Sequence, residues 1–98
     1  MPDYSKAKLY KIISHSHPEL IFIGSTVQQL TRRRASHRYV YKLYKMGKHH
    51  YMPCFDLIKY DDAELILIKT LFCFDRMDLT MKEENYIYNY KKMNKTWY

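Results

Sequence analysis

Residues 9–24 read LYKIISHSHPELIFIG, and they decide how the rest of the chain is arranged. Two short apolar runs, 9–14 (LYKIIS) and 20–24 (LIFIG), flank HSHPE, a polar loop containing Pro18. Alternation in the first run and near-continuous apolar character in the second predict two β-strands joined as an antiparallel hairpin. Residues two apart on a strand share a face. Tyr10 therefore lies with Ile12, and Phe22 lies with Leu20 and Gly24. A strand tyrosine ordinarily packs, whereas a glycine closing a strand lets a backbone or a ligand come close.

Downstream, Ser25 and Thr26 precede a helical pattern, a place where such residues usually act as caps. The pattern covers residues 27–46, with Gly47 as its stop and a break near Ser36 and His37 as a way of dividing it in two. At about 100° per residue from Leu30, Arg33, Arg34, His37, Tyr41 and Tyr44 fall within roughly 60° of it. Arg32 lies at about 200°, on the opposite side, suited to nonspecific phosphate contact or plain solvation. A solvated basic face is the ordinary meaning of TRRRASHR. Yet Arg33, His37 and Tyr41 stand at i, i+4 and i+8 beside Leu30, where they can converge on one site.

Residues 63–72 (AELILIKTLF) are the best further strand candidate and supply a third strand. Residues 53–60 fit either a strand or a short helix. The last helix is expected to start near Asp75, with Asp75 as N-cap and Asp78 in the first turn. Its apolar face collects Leu79, Tyr86, Ile87 and Tyr90. Within KEENYIYNY (82–90), Glu83 falls at about 40° from Leu79, inside that stripe, and Glu84 at about 140°, toward water. An inward carboxylate is costly unless it is paired or binds a metal. Glu83 therefore either pairs with a lysine or arginine at the edge of the stripe or holds a cation in a polar cavity.

The predicted order is β-β-α(α)-β-α. It describes an α+β fold with a small central three-stranded antiparallel sheet flanked by helices, one domain over residues 1–98.

Lysine and arginine number 17 against 10 acids, a net charge of +7. That balance favours anionic partners, nucleic acid foremost. The two cysteines are too few for a disulfide scaffold and are expected to be reduced, packed and intracellular. His49, His50, Cys54 and Cys73 show no paired spacing that supports zinc. No apolar run approaches the ~20 residues of a membrane span, and the N-terminus shows no secretory h-region. The expectation is an intracellular protein with no membrane partner.

An ordered set of short motifs resembles the GIY-YIG nuclease superfamily from about residue 6 to 95. Lys8-Leu9-Tyr10, followed by Ile12, resembles the first signature. Phe22-Ile23-Gly24, followed by Ser25-Thr26, resembles the second. Leu30, Arg33 and His37 form L-x-x-R-x-x-x-H, similar to the helix motif. Glu83-x-x-Tyr86-Ile87 resembles the metal-binding glutamate and its helix, and Met93-Asn94-Lys95 the terminal asparagine motif. The compact stand-alone versions in large DNA viruses and among mobile-element endonucleases are most similar.

The resemblance implies a three-stranded sheet flanked by helices and hydrolysis of DNA phosphodiesters with one divalent ion, Mg2+ or Mn2+. In that scheme Glu83 anchors the ion and Arg33 stabilises charge on the scissile phosphate. Tyr10 activates the attacking water. A tyrosine with an unperturbed pKa near 10 needs help to act as a base, and His37 is the assisting or competing base. Lys8, Phe22, Gly24, Ser25, Thr26, Arg32, Arg34, Tyr41 and Asn94 are the expected substrate contacts.

Two positions depart from the family pattern. Lys8 stands where the first triplet has glycine, and Phe22 stands where the second has tyrosine, so a hydroxyl is lost. The retained Tyr10, Gly24, Arg33, His37, Glu83 and Asn94 favour an active enzyme. The alternative is a DNA-binding module of the same fold with weak or no cleavage. Specificity is expected to be low in this chain by itself, leaving DNA structure, a homodimer or a DNA-binding region outside this chain to supply it.

Overall fold

The computed structural model describes residues 3–93. A 3-10 turn (Tyr4–Lys6) leads into β1 (Ala7–Ser14) and β2 (Ile21–Thr26). Then come α1 (Leu30–Lys45), the short α2 (Phe55–Ile58), β3 (Ala63–Leu71) and α3 (Arg76–Met93). The sheet is antiparallel with strand order β2-β1-β3, so β1 is central and β2 is an edge. This is the expected α+β architecture and element order.

The β1–β2 register pairs Tyr10 with Gly24, Ile12 with Phe22 and Leu9 with Ser25. Tyr10, Ile12, Phe22 and Gly24 therefore share one face, and Leu9 and Ser25 share the other. On the first face Tyr10 and Ile12 form a core with Cys54, Phe55, Leu57, Ile58 and Ala63, closed by Leu30, Val40 and Tyr41 of α1. A smaller cluster of Ala7, Cys73 and Leu79 seats α3 against the second face. There, Lys69 of β3 places its ammonium 5.5 Å from the centre of the Tyr86 ring. On the β3 side the register slips between Leu9 and Tyr10, leaving Ile68 as the extra residue of a bulge.

Several local boundaries differ from the sequence reading. The first helix begins at Leu30 rather than at 27, because the Gln28 amide donates to Thr26 Oγ1 (3.0 Å) and turns the chain before the helix starts. It runs unbroken past Ser36 and His37. Gly47 does end it: its φ is 77°, Lys48 N donates to the Leu43 carbonyl and Gly47 N to that of Tyr44, a Schellman stop. The ambiguous 53–60 stretch is helical at Phe55–Ile58, and Phe72 lies outside β3.

The start of α3 is fixed from both directions. Asp75 accepts from the Asp78 amide (2.8 Å) and Asp78 accepts from the Phe74 amide (3.0 Å). At the far end of the hairpin, Asp62 accepts from the Ser14 hydroxyl (2.6 Å) and the Ser16 amide (2.8 Å), tying the loop to the start of β3. Among the described residues, no helix is long and apolar enough to cross a membrane.

Candidate active site

Tyr10 is 1% exposed, yet it lines a cleft at the edge strand β2, with its hydroxyl against Gly24. Gly24 makes this geometry. A Cβ added there would lie 2.7 Å from Tyr10 Oη, 2.8 Å from its Cζ and 3.1 Å from Phe22 Cε1. The tyrosine ring crosses β2 where a side chain would otherwise stand.

Two residues one turn apart on α1 meet that hydroxyl. Arg33 Nε donates to Tyr10 Oη (3.3 Å), and Tyr10 Oη stands 2.8 Å from His37 Nε2. Arginine only donates, so the tyrosine oxygen accepts on that side and shares one proton with the imidazole on the other. His37 is 5% exposed. Burial, helped by the Arg33 charge, pushes its pKa down to about 4. Burial raises the Tyr10 pKa, against the hydrogen bond and charge of Arg33. At neutral pH both groups are therefore uncharged, and His37 Nε2 is able to receive the Tyr10 proton.

Glu83 comes to the same place from α3. It is half-buried, whereas Glu84 is exposed, as the helical phase predicts. Burial raises the Glu83 pKa, opposed by a hydrogen bond from Ser25 and by the Arg33 charge, while Glu84 adds to the rise. No ion pair neutralises Glu83 among the described residues. Of the two readings its position left open, the edge salt bridge is not formed among the described residues. Tyr10, Phe22, Gly24, Ser25, Arg33 and Glu83 line one cleft of about 390 Å³. Its walls come from both faces of β2, since Gly24 and Ser25 point to opposite sides of that edge strand.

A divalent cation suits this donor set. Among the described residues no three His, Cys, Asp or Glu side chains converge on a metal position. A single unpaired carboxylate in a polar cleft is, however, the kind of anchor that Mg2+ takes while keeping several waters. Glu83 would hold the ion and Ser25 would orient the carboxylate.

The other expected contacts are distributed more widely. Thr26 is buried at the cleft and holds the turn into α1. His37 stands behind Tyr10. Lys8 lies along β1 with its ammonium on the Lys6 carbonyl (3.2 Å). Arg32 is exposed on the outer side of α1. Arg34 reaches the other way, to the Ala63 carbonyl (3.4 Å). Tyr41 packs on Phe55, ring centres 5.4 Å apart. Asn94 lies outside the described residues. Sequence reasoning passed over Tyr4, Gln28, Thr80 and Arg76, which also line the cleft. Arg76 and Thr80 had a signal: they stand seven and three positions before Glu83 on the same helix.

No protein-family model, curated protein or solved structure matches this chain.

Proposed function

We propose that the protein is a metal-dependent endonuclease that hydrolyses DNA phosphodiester bonds in this cleft. The observation that carries the reading is the Arg33–Tyr10–His37 hydrogen-bonded chain opening onto the same cleft as the unpaired Glu83. The resemblance of the motifs to the GIY-YIG nuclease superfamily supports it, as does the net charge of +7. Activity on DNA would place the protein in the cytoplasm or nucleus of a host cell.

The attacking water forms the new P–O bond. Its proton passes to Tyr10 Oη as Tyr10 hands its own proton to His37 Nε2, so no free tyrosinate is required. The bond to the leaving oxygen breaks, and that oxygen takes a proton from solvent. Arg33, fixed against Tyr10, offers its remaining N–H groups to the phosphoryl oxygens, where negative charge grows. One Mg2+ or Mn2+ ion at Glu83 would supply neutralisation of the phosphate and of the leaving oxygen.

Plasmid nicking with Mg2+ or Mn2+ tests the reading. Cleavage is expected from the parent and from Glu84→Ala, and not from Glu83→Ala. A parent inactive on duplex, branched and single-stranded DNA overturns it. Phe22 favours a second reading. Its ring lines the cleft without a hydroxyl, which suits a module that binds DNA and cuts it weakly or not at all.

A further inference from the structure

The cleft carries a second cation that this mechanism does not use. Arg76 is the first residue of α3 and lines the cleft with Glu83. Seven residues separate the two, about two turns and about 10 Å along the axis, on nearly the same side of the helix. Thr80 lies between them on the same wall.

The acidic neighbours of Arg76 are already engaged. Asp75 accepts from the Asp78 amide. Asp78 accepts from the Phe74 amide and pairs with Lys82 (3.3 Å). Arg76 itself is exposed, and its side chain makes no hydrogen bond or ion pair among the described residues. Arg33, in contrast, is anchored to the Tyr10 hydroxyl. The cleft thus has one guanidinium committed to the reacting centre and one free, two turns of α3 away from the carboxylate.

We propose that Arg76 forms a second phosphate subsite, binding the phosphate next to the scissile one and thereby setting which bond of the strand faces Tyr10. The inference rests on the nuclease reading of the cleft. It also names the substrate class: a strand with at least two consecutive phosphates, rather than an isolated phosphodiester. A planar fork that binds a phosphate through two N–H groups is the chemistry that distinguishes arginine from lysine here.

The test compares the parent, Arg76→Ala and Arg76→Lys on two substrates with Mn2+. One is a DNA oligonucleotide. The other is bis(p-nitrophenyl) phosphate, which has a single phosphate. On DNA, Arg76→Ala is expected to lose roughly 10- to 100-fold in kcat/KM, the range for one charged hydrogen-bonded contact, with Arg76→Lys in between. On the small diester all three proteins are expected to react alike. A neutral methylphosphonate beside the cleaved bond should slow the parent and abolish the penalty of Arg76→Ala at that bond alone.

Equal losses on both substrates, no loss on DNA, or a penalty indifferent to the methylphosphonate position each overturn the subsite. A parent that cleaves neither substrate overturns the nuclease reading instead. DNA binding then judges Arg76 separately. Loss of its phosphate contact lowers the slope of log K against log salt by about one, and an unchanged slope overturns the subsite as well.

Discussion

The Tyr10 hydroxyl and His37 Nε2 stand 2.8 Å apart, and neither group is charged at neutral pH. The fold holds His37 neutral by burying it, and this gives stability a definite pH dependence. The folded pKa is about 4, below the ordinary imidazole value of 6.5, so between those values the unfolded chain takes up a proton that the folded one refuses. The contribution is fully present above about 6.5 and is lost as pH falls toward 4. The urea midpoint of the parent should drop through that window, while His37→Gln should flatten the drop. Parallel curves for the two proteins would show that another group is responsible.

Tyr10→Phe keeps the ring over Gly24 and removes only the oxygen. It should cost about 1–2 kcal/mol by leaving His37 without its partner, measured by urea unfolding. Cleavage should fall by roughly 100-fold or more, the scale of a lost general base. A variant that cuts at the parental rate would remove Tyr10 from the mechanism.

Gly24→Ala attacks the same hydroxyl from the other side. The added methyl meets Tyr10 Oη at 2.7 Å, so either the ring or the strand must shift. The expected cost is about 1–3 kcal/mol, with loss of cleavage. Crystals of the variant with both Tyr10 and β2 unmoved would contradict this account.

Glu83 is held with its ionised form disfavoured, since burial raises its pKa. For a carboxylate shifted upward, stability is lost as pH rises through the folded value. Glu83→Gln should therefore melt at a higher temperature than the parent near neutral pH without divalent ions. Added Mg2+ should raise the melting temperature of the parent and of Glu84→Gln, but not that of Glu83→Gln. An equal metal response in all three would move the ion away from Glu83.

Asp62 provides a second, lower window. The Ser14 and Ser16 hydrogen bonds pull its pKa from 3.8 to about 2. Its contribution is present above about 4 and is lost as pH falls toward 2. Ser14→Ala should shrink the acid sensitivity in that range and leave the His37 window unchanged, which unfolding from pH 7 to 2 would resolve.

The opposite directions of Glu83 and Glu84 were legible because helical phase alone separates adjacent residues. Strand pairing was legible through Tyr10, Phe22 and Gly24, where a period of two fixes the shared face. The start of α1 was not, because the Thr26 hydroxyl takes the Gln28 amide in a turn that resembles a cap in sequence. Arg33 and Arg34 were grouped by their nearness to Leu30, but they flank it on opposite sides. One therefore turns to the cleft and the other to the Ala63 carbonyl. Tyr41 was grouped with Arg33 at i+8, but it lies about 80° round the helix from it and about 20° from Arg34, over α2. Four residues of α2 are too few to display any period. Arg76 was passed over although its spacing of seven residues puts it on nearly the same side of the helix as Glu83.

Gly24 and Ser25 are neighbours in sequence on opposite faces of β2, and each has its own assignment: one makes room for Tyr10, the other holds Glu83. A slip of β2 by a single residue would exchange them, putting a side chain under the tyrosine and a bare backbone before the glutamate. The hairpin loop at residues 15–20, at the other end of the strands, sets that alignment. An insertion of one residue there should be either absorbed within the loop or ruinous to the distant cleft, with little in between. Tolerance to length changes at the quiet end of the hairpin is thus a gauge of how firmly the reactive end is phased.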